Sequence, residues 1–254
     1  MPTYGSKWPE YAKQWDRMEV RPNKQAQFER IAQKLLSFKD RYIAAEKLTG
    51  VPWYTIALWH MRESDNDFRT QLAQGDPLSR KSTNVPRGRG PFSTWEDGAY
   101  DALVTLKGFN KIIDWRLEKI LYYSELYNGW GYHNHGVPSA YLWAGSNIYT
   151  GGKYISDGVW SSSAMDSQPG VASVLKVMMK LDPSIKPKRE SNAPDVTGPS
   201  AVVVAGGAAA VADPARWHYY VAGALITAGL TAVVVWWFKR RNKNVVELVE
   251  AKGE

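Results

Sequence analysis

Two carboxylates thirteen residues apart, Glu63 and Asp76, carry the first chemical signal in the sequence. A glycosidic bond breaks when one carboxyl protonates the leaving oxygen and a second activates water or stabilises the developing cation. Glu63 lies near the end of VPWYTIALWHMRES. Pro52 suits a first helical position, and Trp53, Ile56, Ala57 and His60 recur at helical spacing. Glu63 follows Ile56 by seven residues and falls close to that apolar face. A carboxyl so placed is partly desolvated and keeps its proton near neutrality, as a general acid must. The plain alternatives are a solvated Glu at a helix end and, for Asp76 in Gly75-Asp76-Pro77, a turn residue. Asp65 and Asp67 are too close to Glu63 in sequence to sit opposite it.

The elements that must position these groups are mostly helical. Asn23 is expected to cap a helix from Lys24 to about Leu48, ended by Gly50. The Glu63 helix follows at once and should pack beside it. Residues 1–22 read as an extended or partly helical lead-in. From Ser64 to Pro91 the chain fills with Asp, Asn, Gly and Pro, which predicts a small β-hairpin and loop lobe, with a strand over Phe68–Leu72. Thr94 and Asp97 form an imperfect capping box for a further helix, and Ile112–Leu126 reads as another. Residues 150–163 predict an irregular excursion turning at Ser156-Asp157-Gly158. A short helix over about Gly170–Lys180 closes the series. The expected fold class is mainly α (α+β).

A second motif, Tyr127-Asn128-Gly129-Trp130-Gly131-Tyr132, stands 64 residues beyond Glu63. A Tyr hydroxyl can hold a protonated carboxyl, and an Asn amide can bind an acetamido group. GVPWYTIALWHMRES resembles the segment that carries the catalytic Glu in lysozyme-like muramidases and lytic transglycosylases, and the Tyr-Asn-Gly loop resembles the cleft loop of lytic transglycosylases and goose-type lysozymes. The resemblance spans roughly residues 30–180. It implies a lysozyme-like helical domain with a small hairpin lobe, Glu63 as the acid, and Tyr127 and Asn128 in the cleft, with Ser64 and Gln71 as further substrate-binding candidates. The implied substrate is peptidoglycan glycan, cut at the β-1,4 bond between N-acetylmuramic acid and N-acetylglucosamine. The sequence departs from the pattern in Asn-Gly-Trp, where many transglycosylases have Asn-Ala-Gly, and in a longer, more basic Gly75–Gly90 stretch. Asp76 tips the expectation towards a hydrolase. A lytic transglycosylase using Glu63 alone, and an inactive wall-binding protein of the same fold, are the alternatives.

Composition narrows the partners. The 254-residue chain has no cysteine, which excludes disulfides and thiolate metal sites. Its formal charge of +7 draws it to anionic polymers, but the basic residues are scattered and match no nucleic-acid motif, so nucleic acid is not an expected partner. Twelve Trp and fourteen Tyr suit sugar stacking as well as core packing. Tyr141, Trp143, Tyr149, Tyr154 and Trp160 are candidates for the former, most of them expected in the core. His133 and His135 have no plausible third ligand, so no metal and no cofactor is expected. Arg80, Lys81, Arg87 and Arg89 form a basic loop, either solvated or facing the wall's carboxylates.

No secretory signal is read in the opening residues. Residues 182–216 read as a Pro/Ala/Gly tether. Trp217–Phe238 is 22 residues without formal charge, enough to cross a hydrocarbon core of about 30 Å, with aromatic belts at both ends. A basic, then mixed-charge tail fills 239–254. These features predict a phage endolysin anchored by one pass in the host bacterial inner membrane and acting on periplasmic peptidoglycan. The small-residue face through Ala224, Ala228 and Ala232 predicts pairing with a holin or with a second copy.

Overall fold

The computed structural model describes residues 1–156 and 158–190. Among these the chain is mainly helical, with nine α-helices, one π-helix, a 3-10 turn and a two-stranded antiparallel hairpin. Helix α4 (Trp53–Ser64) is the centre. Every residue from Trp53 to Arg62 except Tyr54 is buried, so the helix is enclosed rather than simply amphipathic. Helix α3 (Lys39–Thr49) packs against it and turns into it through Gly50, whose left-handed φ of 72° suits glycine. The Glu46 side chain then caps the new helix, accepting from the Trp53 N–H at 3.0 Å.

Before α3 the sequence predicts one helix from Lys24. The chain makes two, α2 (Pro22–Ser37) and α3, divided at Phe38, which ends one and opens the other. The Phe38 ring packs edge-on against Phe68 at 5.0 Å. The start also differs: Pro22, not a residue after Asn23, takes the first helical position. The lead-in is itself a full helix, α1 (Tyr4–Arg17), with a Thr3/Ser6 capping box and with Tyr11, Ala12 and Trp15 buried.

Helix α5 (Trp95–Tyr100) opens with the expected Thr94/Asp97 box and runs directly into the π-helix Asp101–Leu106. Helix α6 (Leu117–Asn128) begins five residues later than predicted, because Asp114 holds Arg116 in a local ion pair ahead of the first turn. The short helices α7 (Gly131–Asn134) and α8 (Ala140–Trp143) follow, and α9 (Val171–Leu181) packs on α2, α4 and α8.

Two expectations about strands are corrected. No strand forms over Phe68–Leu72; one isolated bridge, Thr70 to Pro77, is all the pairing there. The hairpin lies instead in the segment predicted as irregular, as β1 (Lys153–Ser156) and β2 (Val159–Ser161), with Tyr154 opposite Trp160.

The tether predicted from Asp182 lies against the helical body over its first nine residues. Ile185 is buried, the Lys188 carbonyl accepts from the Leu117 N–H at 2.7 Å, and Arg189 joins Asp16 of α1 to the fully buried Glu118 of α6. Glu190 accepts from Tyr4 and Arg116. The rest of the tether, the apolar segment 217–238 and the tail lie outside the described residues. Among the described residues no helix is long and apolar enough to cross a membrane.

Candidate active site

Glu63 sits in the last turn of α4, just before an abrupt reversal. Asp65 and Asn66 both adopt left-handed backbone, with φ of 52° and 61°. Asp and Asn tolerate that region better than other side chains. Asn66 repays the strain by donating its amide to Tyr42 Oη at 3.0 Å and to the Ala57 carbonyl at 3.3 Å. The neighbouring Arg62 is locked by a buried ion pair with Asp166 at 3.1 Å. The end of the helix is thereby held from both sides, and Glu63 can project only into the space left between them.

That space is a cleft of about 340 Å³ lined by Glu63, Ala73, Val85, Pro86, Leu106, Lys107 and Tyr127. The loop lobe supplies Ala73, Val85 and Pro86. The end of the π-helix supplies Leu106 and Lys107, and α6 supplies Tyr127. An ion pair between Arg89 and Asp101 ties the lobe to the π-helix, so the two walls are joined.

Glu63 is exposed as a residue because its carboxyl opens onto the cleft, yet protein crowds it on most sides. This desolvation pushes its pKa up, against the opposing pull of a Tyr141 hydrogen bond and of Arg62 and Lys107. Tyr141 of α8 is 2% exposed and donates its hydroxyl to Glu63 Oε1 at 2.9 Å. Tyr127 approaches from α6. Its ring stacks on Trp59 at 5.0 Å and 10°. Trp59 and Glu63 are four residues apart on one helix face, so the stack carries the Tyr127 hydroxyl towards the carboxyl. That hydroxyl is buried with no hydrogen-bond partner among the described residues, and burial with the nearby Glu63 raises its pKa well above the usual phenol value. Trp59 is fixed in turn by its indole N–H, which donates to Ser124 Oγ at 2.8 Å.

The six residues expected from the sequence are distributed unevenly. Glu63 and Tyr127 meet in the cleft. Asp76 is 3% exposed, and its carboxylate accepts from the Thr83 N–H and hydroxyl and the Asn84 N–H, at 3.1, 2.9 and 2.9 Å. These bonds hold its pKa low. The covering is local: the loop wraps the carboxylate, and Asp76 does not line the cleft. It pins the turn that delivers Val85 and Pro86 to the cleft wall. Gln71 does similar work, donating its amide to the carbonyls of Pro77 and Arg80. Ser64 donates to the His60 carbonyl at 3.4 Å, and Asn128 is exposed at the last position of α6.

Two residues with direct bearing on Glu63 were not singled out for it in sequence. Tyr141 reads there as an aromatic for stacking or core, and nothing local announces a contact 78 residues away. Lys107 ends the Thr94 helix stripe before Gly108, the ordinary place for a solvated lysine. Of the other aromatics, Trp143 and Tyr149 are core, and Tyr154 and Trp160 pack with His135 on the hairpin. Comparison with family models, with curated proteins and with solved structures gives no match.

Proposed function

We propose that the protein is a lysozyme-like, peptidoglycan-cleaving glycosidase that cuts the β-1,4 bond after N-acetylmuramic acid, with Glu63 as its general acid. The observation that carries this reading is a carboxyl pushed towards its protonated form at one end of a walled cleft, clamped on one oxygen by a buried phenol. Because Tyr141 donates to Oε1, the proton belongs on Oε2, the oxygen left to face a glycosidic bond. Once the proton is given up, the positive Lys107 and the Tyr141 hydroxyl stabilise the carboxylate.

Glu63 is the one acidic residue lining the cleft among the described residues. This favours a second half-reaction that needs no second carboxylate. In that route the C1–O bond to the leaving sugar breaks first, through an oxocarbenium-like state, and the muramic acid 6-hydroxyl then bonds to C1 from the face the leaving oxygen vacated. The leaving oxygen takes the Glu63 proton, and Glu63 recovers one from the attacking hydroxyl. The product is a 1,6-anhydro end, the outcome of a lytic transglycosylase. The hydrolytic route requires a second group to activate water or hold the cation; Asp76, with its oxygens engaged by Thr83 and Asn84, is a poor candidate.

End-group analysis of purified sacculi digested by the full chain tests the reading. Anhydro-muramic ends support transglycosylation, and reducing muramic ends support hydrolysis. New reducing N-acetylglucosamine ends or free amino groups alone contradict both. The apolar segment 217–238 supports action from a membrane, as expected of a phage lysis enzyme with the bacterial inner membrane and a holin or second copy as partners.

A further inference from the structure

Lys107 is an exposed cation at the edge of the cleft, and it is the one lysine among the described residues that lines it. Lys7, Lys34, Lys39, Lys119 and Lys153 each lie within 4.0 Å of a carboxylate. Lys107 has no such partner among the described residues. Its ammonium rests 5.0 Å from the Tyr127 ring centroid, a cation–π position beside the reacting carboxyl. Glu63 lines the same cleft, and Lys107 exerts a charge effect on it without pairing with it within 4.0 Å.

The backbone fixes the point from which this side chain reaches the cleft. Lys107 closes the π-helix, and both its own N–H and that of Gly108 return to the Val104 carbonyl. Gly108 turns left-handed at φ 66°, and the next residue, Phe109, is buried against Trp59 at 5.4 Å. Leu106 on the other side lines the cleft wall. A π-helix is a costly irregularity found often at functional sites, and here it ends on the cleft's single lysine.

The geometry points to Lys107 as the residue that selects an acidic glycan, by pairing with a carboxylate carried on the sugar next to the scissile bond. This rests on the proposed cleavage for the identity of the polymer, but not on Glu63 for its binding. The carboxylate has two sources with shared chemistry, the lactyl ether of a peptide-free muramic residue or the peptide that amidates it.

Binding to the full chain carrying Glu63→Gln, which leaves the ligand uncut, separates the cases. Three probes are titrated at low salt: a peptide-free tetrasaccharide of alternating N-acetylglucosamine and N-acetylmuramic acid, its peptide-bearing form, and the neutral N-acetylglucosamine tetramer. With Lys107 present, at least one acidic probe binds about tenfold tighter than the neutral one. Lys107→Met removes that preference and Lys107→Arg keeps it. A stronger peptide-free ligand assigns the lactyl carboxylate; a stronger peptide-bearing one assigns the peptide. A preference unchanged by Lys107→Met, or absent with Lys107 in place, overturns the inference. Wild-type protein incubated with the same probes tests the cleavage reading separately: selective binding without cleavage keeps Lys107 and removes the enzyme.

Discussion

At the scale of single residues, Glu63 and Tyr141 make opposing demands on one proton. Burial raises the Glu63 pKa, whereas the Tyr141 hydrogen bond favours the ionised form and lowers it. Activity that needs protonated Glu63 falls as pH rises through that pKa. Tyr141→Phe removes the lowering influence, so the alkaline limb of the pH–rate profile should move upward by about one unit or less, the worth of one hydrogen bond. A limb that stays in place or moves down contradicts the clamp. Stability follows the same carboxyl. Its folded-state pKa lies above the unfolded one, so its favourable contribution is complete below the unfolded pKa and disappears as pH rises through the folded pKa. Glu63→Gln is therefore expected to melt higher than wild type at pH 8, with the gap closing towards pH 4. Asp76 behaves oppositely in role: Asp76→Asn should retain turnover well above that of Glu63→Gln, because the carboxylate pins a turn instead of facing substrate. Equal loss of activity in both variants would restore Asp76 as a reacting group.

Among the elements, α4 depends on a histidine kept neutral. His60 is fully buried between Trp95, Phe68 and Tyr42, with Tyr42 Oη 3.0 Å from Nδ1, and burial lowers its pKa to about 4. The unfolded chain takes up the proton first, so stability present above about pH 6.5 is lost progressively down to about pH 4. His60→Phe should flatten the melting temperature across that window, as thermal unfolding in steps of pH will show; an unchanged slope rejects it. How legible each element was follows from where its hydrogen bonds go. Helices α4 and α9 show apolar spacing and α5 carries its own Thr94/Asp97 cap, and all three occur close to the positions read from sequence. Helix α1 hides its pattern behind Pro9, and α2 and α3 run together in sequence because Phe38 is as apolar as the stripe around it. The lobe from Asp65 to Pro91 has turn residues in plenty, but its backbone bonds to the Gln71, Asp76 and Ser82 side chains rather than to a partner strand, a solution that alternation cannot reveal. Glu63 and Tyr127 each stand in a recognisable run and were readable, while Tyr141 and Lys107 reach the cleft only through tertiary packing.

For the whole molecule, the described body ends in a strap. Residues 182–190 bury Ile185 and clasp α1 to α6 through Arg189 and Glu190. A chain ended after Glu190 should melt with the full chain's body, whereas one ended after Leu181 loses the buried Ile185, a change in the range of about 2–5 kcal/mol, and melts several degrees lower. Equal melting of the two would show that the strap contributes nothing. The composition also makes sense at this scale: with no cysteine, the fold rests on buried aromatics such as Trp59, Trp95 and Trp143, and Trp59 also sets the position of Tyr127. The central claim is that this body presents one proton-bearing carboxyl to a glycan. Its most direct test is solubilisation of purified sacculi by full-chain wild type and by Glu63→Gln at equal concentration. The account predicts clearing by wild type and a loss of about a thousandfold or more in the variant, as expected when a general acid is removed. Comparable clearing by Glu63→Gln, or none by either protein, contradicts it.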